Sequence, residues 1–121
     1  EVDDRIDFLG HCDNVEELVK LSDICAASSL REGLPVNIME AMACGVPVVA
    51  SDNRGHRALI HNGEDGFIVR PNDSAEMADK VNLLLDNEEI YRSFSEKAAV
   101  NIKRFSKEAV SAQMSSIYKA I

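Results

Sequence analysis

Basic residues are in short supply. The chain of 121 residues sets 13 Lys and Arg against 21 Asp and Glu, a formal charge of −8. A surface that acidic repels a phosphate backbone, which argues against nucleic acid as a partner. Long apolar runs are missing too. The longest are a handful of residues, far below the roughly 20 that cross a bilayer, so no transmembrane segment is expected. Cysteine is scarce: Cys12, Cys25 and Cys44 are odd in number, widely spaced and without a C-x-x-C pair. They suit neither a disulfide framework nor a zinc site, and they point to a reducing, cytosolic setting. The chain opens Glu1-Val2-Asp3-Asp4, with no initiating methionine, basic n-region or apolar h-region, and reads as a piece of something longer. No G-x-G-x-x-G is present, which argues against a nicotinamide dehydrogenase. Asp3-Asp4 is not a D-x-D metal motif, and no metal or other cofactor is expected. No internal repeat or low-complexity segment is visible.

What is present suffices for one domain. With 45% hydrophobic residues the chain can bury a single core, and it is too short for two. Ile6-Asp7-Phe8-Leu9 before Gly10 reads as a short strand, and Val15 to Leu21 has helical apolar spacing with Asn14 as its cap. Asp23 to Ser28 reads as a buried strand. Pro35 suits a first helical position, and helix formers continue from Val36 to Cys44 until Gly45 stops them. Pro47 to Ser51 follows as a strand, Asp52 to Gly55 as a turn, Arg57 to His61 as a short helix and Phe67 to Val69 as a fourth strand. From Ser74 the pattern is helical, with Asp73 or Ser74 as cap, a break near Asp86-Asn87, and a final helix capped by Ser106 through Val110, Met114, Ile117 and Tyr118. Strands apolar on both faces that alternate with helices predict an α/β fold. The expected architecture is a Rossmann-like three-layer α/β/α arrangement around a mainly parallel sheet of about four strands. Ligands in such sheets bind beyond the carboxyl ends of the strands, so site residues should follow Leu9, Ser28, Ser51 and Val69.

One segment concentrates the chemistry. Glu32 belongs to a loop at a strand's carboxyl end, and Glu40 lies one to two turns up the next helix. Between them, free N–H groups at a helix start carry about half a positive charge and can hold a diphosphate without a lysine. Pro35 has no N–H, so the donors would be Gly33, Leu34, Val36 and Asn37. Gly33 would let a ligand approach the main chain closely. Glu40 sits in a helix apolar almost all round, where an unpaired carboxylate is costly and two ribose hydroxyls would supply donors. Plainer readings stand beside these: an ordinary Gly-Leu-Pro loop, and a Glu40 paired with a buried arginine or a backbone group. A glycosidase pair is disfavoured. Its carboxylates flank one bond at about 5 to 9.5 Å, whereas these two would line the same wall of a groove.

The stretch Glu32-Gly33-Leu34-Pro35-Val36-Asn37-Ile38-Met39-Glu40-Ala41-Met42-Ala43-Cys44-Gly45-Val46-Pro47-Val48-Val49-Ala50-Ser51 resembles the E-G-x-P-x-x-x-x-E-A-M-A-x-G-x-P-V-V-A-S signature of family 4 retaining glycosyltransferases. Phe8-Leu9-Gly10, Asp23 to Ser28 and Asn62-Gly63 to Val69 resemble the same family in order and spacing. The resemblance implies that residues 1–121 are a single partial nucleotide-sugar-binding domain, part of the C-terminal domain of a GT-B fold. The N-terminal acceptor domain and the basic residues that grip the pyrophosphate would lie upstream of Glu1. Carried over by position, Glu32 would be the catalytic-site acid that contacts the transferred sugar. The main chain of Gly33, Leu34 and Val36 would hold sugar and diphosphate, Asn37 would join that donor site, and Glu40 would bind ribose. The implied donor is a UDP-sugar, and the implied acceptor is a saccharide or lipid-linked sugar held mainly by the other domain. Transfer would proceed with retention, the protein stabilising the leaving diphosphate.

Arg54-Gly55-His56-Arg57 resembles the R-G-H-R variant of transferases that build bacterial surface polysaccharides; those relatives carry Glu or Asp where this chain has Ala58. Arg54, His56 and Arg57 are thus candidate phosphate ligands, or they fix the turn. The resemblance also implies a cytoplasmic place, with peripheral membrane attachment of the full-length protein left open. A non-catalytic nucleotide-binding or regulatory module of the same fold is the alternative. In the 3-2-1-4-5-6 order of such sheets this chain would supply strands 3 to 6. Ile6 to Leu9 would then lack its neighbour, and is expected to pair elsewhere, join a second chain or leave an exposed edge that invites association.

Overall fold

A computed structural model describes residues 3–106 and, beyond them, Glu108, Ser111 and Ser115. The expected final helix through Val110, Met114, Ile117 and Tyr118 lies outside the described residues. A short 3-10 turn, Asp3–Arg5, precedes helix α1 (Val15–Lys20), strand β1 (Cys25–Ala27), α2 (Val36–Ala43), β2 (Val48–Ser51), α3 (Arg54–Leu59) and β3 (Gly66–Val69). Helices α4 (Ser74–Asp86) and α5 (Glu88–Asn101) and a 3-10 turn, Ile102–Phe105, complete it.

The strands form one parallel sheet in the order β1-β2-β3, with Cys25 opposite Val48, Val48 opposite Gly66 and Ser51 opposite Val69. All four residues of central β2 are buried, as a strand covered on both faces requires. Side chains alternate between two cores. Val48 and Ala50 join Ile38, Ala41 and Met42 of α2, Leu59 of α3 and Ala98 of α5. Val49 joins Phe67, Val69, Leu84 of α4 and Phe94 of α5. Helix α5 thus closes both layers, and the α/β/α sandwich expected from the sequence is the observed fold.

The sheet has three strands rather than four. Ile6 to Leu9 takes no strand conformation, and Phe8 and Leu9 are 95% and 60% exposed. The observed strands occupy the places of strands 4, 5 and 6, so the earlier segment has no ladder to join, and a strand without a partner leaves its polar backbone unpaired. Among the described residues the sheet has two edges, β1 and β3, with β2 between them.

Local signals account for most boundaries. Helix α2 ends in a Schellman turn at Gly45 (φ +70°): the Gly45 N–H reaches the Met42 carbonyl at 3.0 Å and the Val46 N–H reaches that of Ala41 at 2.9 Å. Asp73 and Asn87 cap α4 and α5. Asn14 precedes α1 but makes no side-chain cap, and Pro35 is the cap residue of α2 rather than its first residue, because its ψ of 102° is extended. Helix α3 begins at Arg54, three residues before the expected start, because Asn53 caps it. Its far end is tied to α5 and the turn beyond: the Leu59 carbonyl accepts from Asn101 Nδ2 at 3.0 Å, and the Ala58 carbonyl accepts from Arg104 at 2.8 Å. The same Asn101 amide donates to buried Asp65 at 2.6 Å, whose other oxygen caps the His61 N–H at 2.7 Å.

Candidate functional site

The loop from Ser28 to Pro35 leaves the carboxyl end of β1 and opens into α2. Its start is pinned to the next strand: the Ser29 carbonyl accepts from Ser51 Oγ at 2.7 Å and Asn53 Nδ2 at 2.8 Å. Its middle lies against α3. A Cβ built at Gly55 would stand 2.6 Å from the carbonyl oxygens of both Glu32 and Gly33, so only a glycine allows this approach.

Beyond that contact, the backbone donors of the segment are unspent. Helices α3, α4 and α5 each satisfy an orphan N–H with a side chain: Asn53 takes that of His56 (2.8 Å), Asp73 that of Glu76 (2.9 Å) and Asn87 that of Ile90 (3.1 Å). Helix α2 has no side-chain cap. Among the described residues, the N–H groups of Gly33, Leu34, Val36, Asn37 and Ile38 meet no acceptor; the first helical bond runs from Met39 to the Pro35 carbonyl. A row of free amides at a helix start is a ready anion site.

Gly33 has its own significance. The chain has six glycines. Gly10, Gly45 and Gly63 have positive φ, and Gly55 and Gly66 have no room for a side chain. Gly33 has neither constraint: its φ is not left-handed, and a Cβ there would meet nothing within 4 Å. The fold has no use for a glycine at this position, and the empty space lies outside the chain.

Both carboxylates are half-buried, and neither has a hydrogen-bond or ion-pair partner among the described residues. Glu40 is less enclosed than the apolar sequence around it suggests, because only Ile38, Ala41 and Met42 of α2 are buried and Val36 is 61% exposed. It lines a largely apolar groove of about 440 Å³ with Val36, Met39 and Ala43 on one wall and Ile102, Lys103 and Phe105 on the other. Glu32 is not among the residues lining that groove.

The Arg-Gly-His-Arg segment divides. His56 is 1% exposed and its Nδ1 lies 2.6 Å from the Ser51 carbonyl. A carbonyl only accepts, so Nδ1 carries the proton and the ring braces the start of α3. Arg57 pairs with Asp52. Arg54 is exposed, with no partner among the described residues. A hollow of about 310 Å³, bounded by residues that include Ser28, Ser51, Arg70, Asn72 and Met77, also opens at the carboxyl ends of the strands. The hollow lies where the sequence places site residues, at the ends of the strands closing with Ser28, Ser51 and Val69, whereas Met77 of α4 reaches it only through the fold. The sequence places Asn53 and Gly55 in a turn and does not single them out as site supports, because the contacts that make them so are long-range.

Among the described residues no group of three His, Cys, Asp or Glu side chains is arranged to hold a metal ion, and no helix is long and apolar enough to cross a membrane. Comparison with known proteins gives a family, two relatives and a solved neighbour. Residues 1–100 match the family described as glycosyl transferases group 1. EpsD of Bacillus subtilis (strain 168), which bears a glycosyltransferase name, is 40% identical over 113 residues, covering 93% of this chain and 30% of its own length. The N-acetyl-alpha-D-glucosaminyl L-malate synthase of Bacillus anthracis is 35% identical over 118 residues, 97% of this chain and 31% of the synthase. Among solved structures, Anabaena Alr3699/HepE superposes with a TM-score of 0.91 in its complex with UDP, at 27% identity over 99% of this chain and 34% of HepE. Its complex with UDP-glucose gives 0.87 over 98% and 33%. The chain spans about a third of the length of these relatives.

Proposed function

Because the chain belongs to the glycosyl transferases group 1 family, we propose that it is the donor-binding part of a retaining, nucleotide-sugar-dependent glycosyltransferase whose donor is a UDP-sugar. The free amides in front of α2 carry this reading. The N–H groups of Gly33, Leu34, Val36 and Asn37 hold the diphosphate, with Ile38 adding the last of the unpaired donors. They supply charge stabilisation that grows as the leaving diphosphate takes up negative charge, and they need no reorganisation to do so. Glu32 accepts hydroxyls of the transferred sugar and Glu40 those of ribose, which suits two carboxylates that the protein leaves unpaired. HepE, solved with UDP and with UDP-glucose, supports the choice of UDP. The acceptor, a saccharide or lipid-linked sugar, is bound mainly by another part of the full-length enzyme, which works in the cytoplasm or at its membrane face. Of the Arg-Gly-His-Arg segment, Arg54 is the side chain left free to meet a phosphate.

Gly33 provides the test. A Cβ there meets nothing within 4 Å, so Gly33→Val should fold as the parent does while filling the space the diphosphate needs. In the longest form of the polypeptide that carries this sequence, UDP affinity by calorimetric titration should fall at least about tenfold with the unfolding midpoint unchanged. Undiminished UDP binding by the valine variant, or none by the parent, would overturn the assignment.

A further inference from the structure

Gly55 does more than fill a tight corner, and the orientation of the peptide planes it touches shows how. The atoms that a Cβ at Gly55 would strike are the carbonyl oxygens of Glu32 and Gly33, both at 2.6 Å, and then the Cβ of Glu32 at 2.8 Å. Both carbonyls are therefore turned onto the first turn of α3. In a planar trans peptide the carbonyl and the following N–H point in opposite directions. Carbonyls of 32 and 33 directed at α3 accordingly send the N–H groups of Gly33 and Leu34 the other way, out of the chain, where neither finds an acceptor among the described residues.

The platform beneath is stiff. Asn53 caps α3 through the His56 N–H at 2.8 Å and spans to the Ser29 carbonyl of the same loop at 2.8 Å. The buried His56 ring fastens α3 to the end of β2 through the Ser51 carbonyl, and Asn101 and Arg104 hold the carbonyls at its far end. Helix α3 cannot retreat from the loop without breaking these bonds.

We infer that Gly55 is a positioning residue for the donor site, fixing two peptide planes so that the Gly33 and Leu34 amides face the diphosphate before it binds. This rests on the assignment of those amides to the diphosphate. A methyl group at position 55 must push the loop away and rotate the planes, while Glu40, carried by α2, stays where it is. The damage is thus confined to the phosphate half of the ligand.

The comparison is between UDP and uridine, measured on the parent and on Gly55→Ala in the longest form of the polypeptide, by calorimetry for UDP and ligand-observed NMR for uridine. Loss of one or two charge-assisted hydrogen bonds predicts UDP binding weaker by about ten- to a hundredfold, with uridine binding unchanged. If the alanine variant does not fold, Asn53→Ala, which loosens the same platform without adding bulk, should show the same selective loss at smaller size. Equal losses for UDP and uridine, or UDP binding as tight as the parent's, would overturn the inference while leaving the donor site standing. A parent that binds no UDP would instead bring down the site assignment, and the inference with it.

Discussion

Glu40→Gln separates a ligand-binding carboxylate from a structural one more sharply than any other single change. Glu40 is half-buried and no described group pairs with it, so the fold bears part of its desolvation with nothing in return. Glutamine has nearly the same volume and helix propensity. Neutralising the side chain should therefore leave unfolding free energy unchanged or raise it by up to about 1 kcal/mol. In urea, with a slope of about 1 to 3 kcal/mol/M, that is a midpoint equal to the parent's or slightly above it. Ligand binding should respond in the opposite sense. A carboxylate offers two charged acceptors to the vicinal hydroxyls of ribose, whereas an amide offers one neutral acceptor and a donor where none is wanted. The expected cost is about 1.5 to 3 kcal/mol, a loss of roughly ten- to a hundredfold in UDP affinity by calorimetric titration. An unfolding free energy lowered by about 1 kcal/mol or more would mean that Glu40 holds the fold together. Unchanged UDP affinity would mean that it reads no ribose. Either result refutes the reasoning.

Two further expectations concern the scaffold. Asn101→Ala removes the bonds from Nδ2 to the Leu59 carbonyl and to Asp65, a carboxylate only 2% exposed; it should cost about 2 to 4 kcal/mol in urea unfolding, and a loss below about 0.5 kcal/mol would contradict the bracing role given to it. Burial pushes the Cys25 thiol above its usual range, which lowers its thiolate fraction near neutral pH. Iodoacetamide should therefore modify Cys25 more slowly in the folded chain than in urea, as followed by mass spectrometry, with the gap narrowing as pH rises; equal rates would show that the site is not shielded.

The parts of the site legible in the sequence are those that are continuous along it. Glu32, Gly33, the amides around Pro35 and Glu40 are consecutive or one helix turn apart, and a helix start announces its free donors wherever it occurs. The same locality made Gly45, Asp73 and Asn87 readable as helix ends, since caps are settled within a few residues. The unbroken apolar run at β2 declared a strand covered on both faces. Where the reading strayed, the deciding partner was remote or missing. Ile6 to Leu9 has the composition of a strand, yet a strand exists only by pairing. Glu40 lies in an apolar stretch, yet its burial depends on what packs around α2.

Sequence alone therefore set most of the helices, the parallel α/β architecture and the stretch proposed to meet the ligand, because each is written in short-range spacing and backbone donors. Tertiary structure alone decided that Gly55 lies under the carbonyls of Glu32 and Gly33, that Ser51 and Asn53 hold Ser29, and that His56 braces α3 from within. Those contacts join residues some 22 or more positions apart, or fix the burial of a side chain, and no local preference encodes them. They arise when the sheet brings the carboxyl ends of β1 and β2 side by side, and that is what turns a row of free amides into an oriented one.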